Sequence, residues 1–104
     1  MAALKYVFVT AIEGCIDVAQ HLCASEGWGP PQSNADAIRR LIRAGVVAHS
    51  VGASVASAVG FRNVLVHGYV DVDDARVAQF LDRLDDLAAF VAAVARWTDE
   101  AGDD

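Results

Sequence analysis

The sequence predicts one all-α domain, a small and mostly antiparallel helical bundle that pairs with a second copy. Three observations carry this. The chain has 104 residues, a length for one domain. Hydrophobic residues make up 55% with only 2 prolines, enough for a packed core. Apolar positions recur at three- and four-residue steps between short breaks, the period of helices with one buried face. So much apolar surface in so short a chain also calls for a partner, and helices with surplus apolar faces commonly dimerise.

The first segment, Ala2 to Ser25, reads as a helix on Val9, Ile12, Ile16, Ala19 and Cys23. Gly27-Trp28-Gly29-Pro30-Pro31 breaks it. Ser33 is placed to cap a second helix, with Asp36 three residues on as the partner in a capping box. This helix spans Asn34 to Ala44 and stops at Gly45, with Ile38, Leu41 and Ile42 on its apolar stripe and Arg39, Arg40 and Arg43 mostly opposite. The third segment, His49 to His67, is rich in alanine, and Gly52 and Gly60 weaken its helix propensity. Its 19 residues without a turn signal still favour a helix over a strand, one that another helix can approach closely. Asp71-Val72-Asp73 reads as a turn with Asp73 as cap. The last helix, Asp74 to Trp97, carries Val77, Leu81, Leu84, Leu87, Val91 and Val94 on one stripe. Residues 1–98 form the domain, and 99–104 an acidic tail that frays. Trp28 and Trp97 read as packing residues and His49 as solvent-exposed.

Net charge is −6, which argues against a broad basic face gripping nucleic acid. Four of the negative charges, Asp99, Glu100, Asp103 and Asp104, sit in the tail, and removing them leaves −2. Six of the eight basic residues are Arg39, Arg40, Arg43, Arg62, Arg76 and Arg83, so a local basic cleft is compatible with the composition. Cys15 and Cys23 are eight apart in a helical pattern, too far along one helix to bridge, and read as reduced and buried. Lys5, Glu13, Asp17 and His21 interrupt the first apolar run, which argues against a membrane span. With no targeting signal, the cytoplasm is the default.

Residues 62–69, Arg-Asn-Val-Leu-Val-His-Gly-Tyr, concentrate the chemistry. Arg62, His67 and Tyr69 form R-x4-H-x-Y, with Asn63 beside the arginine. Arginine is a permanent cation able to grip a phosphate through two hydrogen bonds. Histidine gives or takes a proton near neutrality. Tyr69 offers a hydroxyl open to modification. The set suits phosphodiester chemistry without a metal or cofactor. Taken singly, each residue has a plainer reading: an ion pair for Arg62, a histidine at a helix C-terminus for His67, half-buried packing for Tyr69. On a straight helix Arg62 and His67 stand ~140° apart, whereas Asn63 and His67 share a stripe. A single straight helix therefore does not aim Arg62 and His67 at one atom. A helix ending near Gly68, together with a site completed across a two-fold dimer, would. Asp71 and Asp73 beside His67 give only a weak metal signal, since turn aspartates ordinarily cap helices.

Two stretches carry a family resemblance: Ile12-Glu13-Gly14-Cys15-Ile16-Asp17-Val18-Ala19-Gln20-His21, and Phe61-Arg62-Asn63-Val64-Leu65-Val66-His67-Gly68-Tyr69-Val70-Asp71-Val72-Asp73. R-x4-H alone is common; R-N-x-L-V-H-x-Y followed by D-x-D in a small helical chain is specific. The sequence resembles the HEPN superfamily and, within it, the HepT-like toxins of prokaryotic toxin–antitoxin pairs. Members often carry an extra helix ahead of the segment that opens at Met1 here. The resemblance implies a homodimeric, metal-independent ribonuclease acting on RNA such as tRNA or mRNA, with the motifs of both subunits lining one cleft. It implies Arg62 and His67 as catalytic residues supported by Asn63. It also implies an MntA-like nucleotidyltransferase antitoxin that transfers AMP to Tyr69, with higher assemblies open. Asp17 and His21 match a second family pattern, either as a hydrogen-bonded pair behind the cleft or as a pair satisfying itself at a helix interface. The rival expectation is a non-catalytic helical module that docks a nucleotidyltransferase or helps bind nucleotide.

Overall fold

The computed structural model describes residues 2–67 and 83–102, with side chains over 6–62 and 83–100. Among the described residues there are four helices and no strand: α1 (Ala2–Ser25), α2 (Asn34–Arg43), α3 (His49–His67) and α4 (Leu84–Gly102). The expected turn at Asp71–Asp73, and the stretch from Asp74 that was assigned to the last helix, lie outside them.

Local chemistry sets the helix ends. At Gly27 (φ +70°) and Gly45 (φ +78°) the chain turns left-handed, where a residue without Cβ is unstrained. At each, two backbone hydrogen bonds close the helix. Trp28 N donates to Cys23 O (3.0 Å) and Gly27 N to Ala24 O (3.3 Å); Val46 N donates to Leu41 O (2.9 Å) and Gly45 N to Ile42 O (3.0 Å). Ser33 is the N-cap of α2, its Oγ accepting from Asp36 N at 3.0 Å. The return half of the expected capping box differs. The Asp36 carboxylate accepts from Gln32 N (2.9 Å), one residue before the cap, and holds Arg40 Nε and Arg43 Nη2 at 3.2 Å each. The Gln32 N–H pulls the Asp36 pKa below the ordinary carboxylate value against the effect of burial, with smaller help from the Arg40 and Arg43 guanidinium groups. α4 runs on through Asp99 and Glu100 to Gly102, past the point where the acidic tail was expected to fray.

The core is the sum of one stripe per helix. α1 contributes Phe8, Ile12, Cys15, Ile16, Ala19, Leu22 and Cys23; α2 adds Ala37, Ile38 and Leu41; α3 adds Val55, Ala58, Val59 and Phe61; α4 adds Leu87, Phe90 and Val94. α1 packs on all three other helices, and α3 on both α2 and α4. By length and mean hydropathy (1.3) Tyr6–Ser25 passes for a membrane span, but its apolar stripe is spent on this packing. Phe8 and Phe61 meet edge to face at 6.1 Å, joining α1 to α3, and Trp28 and Trp97 at 6.2 Å, joining the end of α1 to α4. The small residues of α3 do what their size allows: a Cβ at Gly52 would overlap Cγ1 and Cδ1 of Ile42 on α2. Arg83 ties the start of α4 to α3 through Ser54 Oγ at 3.2 Å. Both cysteines are free and buried.

Candidate active site on the motif helix

Arg62 lies near the end of α3, one residue after the buried Phe61, so its side chain leaves the core at the α1 boundary. Its Nη2 donates to Glu13 Oε1 of α1 at 2.8 Å. The two side chains are 24% and 47% exposed, so the arginine is the more enclosed partner of a pair that reaches solvent. An arginine carries five donors, and this contact uses one N–H to orient a planar fork. The ion-pair reading of Arg62 is therefore realised, by a residue that no motif in the sequence singles out. Glu13 is 49 positions away, and its only advance signal is its place on α1, four residues before Asp17.

Positions 63 and 67 belong to α3, so Asn63 and His67 fall on its motif-bearing end. Their side chains, and Tyr69 altogether, lie outside the described residues. The backbone is helical from 62 to 67, which keeps those two positions ~140° apart around the axis.

Asp17 and His21 are both exposed, and among the described residues no hydrogen bond joins them. This corrects both forms of the expected pair. Instead they line a concavity of about 310 Å³ between α1 and α4 with Val18, Leu22, Val94 and Thr98. A second groove, of about 420 Å³, is lined by Trp28, Arg40, Arg43 and Ala44. Here Arg40 is spoken for by Trp28 O (2.7 Å), Gly29 O (3.0 Å) and Asp36, so the arginine run on α2 is partly neutralised rather than an open basic cleft. Among the described residues no three His, Cys, Asp or Glu side chains converge as metal ligands would.

Comparison with known proteins places this geometry. Residues 1–94 match the family described as HepT-like, Ribonuclease HepT-like. The mRNA nuclease HepT of Shewanella oneidensis (strain MR-1) is 29% identical over 83 residues, 79% of this chain and 62% of that protein. The chain thus spans less than two thirds of the length of that relative. Among solved structures, a toxin–antitoxin crystal structure with AMP-PNP superposes with TM-score 0.81 at 23% identity, over 89% of this chain and 72% of that one. A tri-AMPylated Shewanella oneidensis HEPN toxin in complex with MNT antitoxin gives TM-score 0.80 at 25% identity, over 88% and 70%. A toxin–antitoxin MntA–HpeT structure with a tyrosine-to-alanine mutation gives 0.78 at 26% identity, over 88% and 70%. With an all-α fold shared with HEPN toxins and a family match running across the Arg62–Tyr69 motif, the chain belongs to the HepT-like family.

Proposed function

We propose that this chain is the toxin of a toxin–antitoxin pair: a homodimeric ribonuclease that cuts RNA without a metal and is silenced when an MntA-like nucleotidyltransferase transfers AMP to Tyr69. The observation that carries the reading is the family match across residues 1–94, which takes in the whole R-x4-H-x-Y motif on and beyond α3. The relative named an mRNA nuclease supports an RNA substrate. The tri-AMPylated toxin bound to its MNT antitoxin supports the partner and the modification. Residues 1–98 form the working unit, and the site of action is the cytoplasm.

In this reading the RNA supplies its own nucleophile, the 2′-hydroxyl, which is why RNA and not DNA is cut. His67 takes the 2′-hydroxyl proton as the oxygen attacks phosphorus. The bond to the 5′-oxygen breaks, and that oxygen leaves with a proton, giving a 2′,3′-cyclic phosphate and a 5′-hydroxyl. Arg62 stabilises the charge that builds on the non-bridging oxygens, and Asn63 orients His67 or a phosphate oxygen. In the silencing reaction the Tyr69 oxygen attacks the α-phosphorus of ATP and pyrophosphate leaves. Each AMP adds phosphate charge where the RNA backbone would lie.

A second reading is favoured by one observation: Arg62 is already paired with Glu13 in a chain of net charge −6. On that basis the same face would dock a nucleotidyltransferase, or help bind nucleotide, without cutting RNA. Intact mass of the protein purified with and without its nucleotidyltransferase, alongside RNA cleavage by the unmodified form, separates the two. The ribonuclease reading expects mass gained in AMP units, lost in Tyr69→Phe, and cleavage lost in Arg62→Ala and His67→Ala with helix content kept. AMP transfer to a protein that never cleaves RNA establishes the docking module, and cleavage retained in both single variants overturns the catalytic assignment.

A further inference from the structure

We infer that the exposed arginine face of α2, Arg39 with Arg43, is a subsite for single-stranded RNA that holds phosphates of the strand away from the bond that is cut. This rests on the ribonuclease reading and adds where the substrate runs. Charge is divided unevenly along the chain. Between residues 27 and 70 the one acidic residue, Asp36, stands against Arg39, Arg40, Arg43 and Arg62, a net +3 in a chain of −6. α4 carries the opposite sign, with Asp85 and Asp86 in its first turn and Asp99 and Glu100 near its end. A polyanion meeting this molecule is drawn to α2 and turned away from α4.

Within α2 the three arginines differ. Arg40 is held by Trp28 O, Gly29 O and Asp36, and so ties α2 to the preceding loop. Arg39 is exposed, and no hydrogen bond or ion pair reaches it among the described residues. Arg43 meets Asp36 at 3.2 Å with its side chain 68% exposed, a surface pair of little worth that a phosphate can displace. Positions 39 and 43 are four apart, so the two cations are neighbours on one helix face. Each borders a groove. Arg43 lines the one walled by Trp28, whose indole gives a base a surface to stack on. Arg39 lines a concavity of about 330 Å³ against α3, with His49, Ala53, Ala56 and Ser57. Cations beside an aromatic wall are what a single strand needs, since its unpaired bases stack while its backbone is neutralised. The Arg39 groove also lies on the motif side of α3. Seven residues bring a helix back to within ~20° of the same line, so 56 and 63 share a face, as do 53, 60 and 67. Ala53, Ser57 and Gly60 are exposed there and too small to block a strand. Position 56 stands about 16 Å from position 67 along the axis, on the order of five stacked nucleotides at ~3.4 Å each.

The test measures kcat and KM for cleavage of a single-stranded RNA by the full, unmodified chain at several salt concentrations. The proteins are wild type, Arg39→Ala with Arg43→Ala, Arg39→Lys with Arg43→Lys, and Arg96→Ala, the last removing an exposed arginine of α4. The double alanine variant should raise KM on the order of 10-fold with kcat little changed, since the lost contacts lie away from the reacting bond. A lower fraction of folded protein would do the reverse, lowering kcat and leaving KM alone. The slope of log KM against log salt should fall by about 1.4, two phosphate contacts at ~0.7 each on a single strand. The double lysine variant should keep most of that slope, because charge carries it. Arg96→Ala should behave as wild type. An active wild type whose KM and salt slope are unmoved by the double alanine change, or moved equally by Arg96→Ala, overturns the inference and leaves the ribonuclease reading standing. So does a double alanine variant that loses kcat at unchanged KM, or one that cuts RNA normally but no longer accepts AMP, which assigns the face to the nucleotidyltransferase. A wild type inert towards RNA overturns both.

Discussion

Cys15 allows a stability prediction to be worked from its surroundings. Its Sγ sits where α1 meets α4 and donates to Leu87 O at 3.9 Å, and the residue is 1% exposed. Burial pushes the thiol from its ordinary 9.0 up to about 11, because a thiolate there loses its water. A folded value above the unfolded one means that the neutral thiol's contribution is whole below pH 9 and is lost as pH rises towards 11. Two units at about 1.36 kcal/mol each bound the loss at ~2.7 kcal/mol. Urea unfolding followed by far-ultraviolet circular dichroism, with reductant present, at pH 8, 9, 10 and 11 measures it. Cys15→Ala is the comparator. It starts lower at pH 8 because of the cavity it leaves, but its stability should fall by ~2–3 kcal/mol less across the range, other titrating groups being common to both proteins. The same burial should leave the native protein slow to react with a thiol reagent at pH 8 until urea opens the bundle. Parallel pH profiles for the two proteins would refute the reasoning.

Two further outcomes follow from the helix ends and contacts. Ser33→Ala removes the acceptor for Asp36 N and should cost about 1 kcal/mol in urea unfolding, whereas a loss below ~0.3 kcal/mol would mean that the Asp36–Gln32 bond alone holds the end of α2. Gly52→Ala gains ~1 kcal/mol in helix propensity but meets Ile42, and overpacking costs of ~1–3 kcal/mol should leave a net loss. In an Ile42→Ala background the same substitution should stabilise, and a gain in the wild-type background would show that α2 and α3 part freely.

What was legible in the sequence is what depends on neighbours along the chain. Ser33 and Gly45 marked the ends of α2 because a hydroxyl before a helix and a glycine after it act within five residues. α3 was legible through length alone, since its apolar residues form no clean stripe. Its small residues make sense only once Ile42 is seen against Gly52. The return bond of Asp36 was misassigned by one residue, because the sequence fixes that a carboxylate reaches back but not which N–H it finds. α4 continues through Asp99 and Glu100, beyond the Trp97 end expected from the apolar stripe, because acidity alone does not end a helix. Glu13 lies within the family-matching stretch of α1 but belongs to no motif of its own. A contact across 49 positions leaves no trace in spacing, and only the packing of α1 on α3 creates it.

That packing also bears on why the proposed enzyme works as a pair. Arg62 faces α1, where Glu13 holds it. With α3 helical from 62 to 67, position 67 stands ~140° further round the axis, away from the side that α1 covers. A general base must come within hydrogen-bond reach of the proton it takes, and an arginine must reach the same phosphate. Two groups turned so far apart on one rigid helix meet poorly on a single atom within one chain. A two-fold axis beside the motif end of α3 would resolve this, by presenting position 67 of one copy to position 62 of the other. The proposed homodimer would meet this requirement of the helix. If the protein cut RNA at undiminished specific activity as a monomer, this account of how Arg62 and His67 cooperate would fail, whatever the fate of the motif.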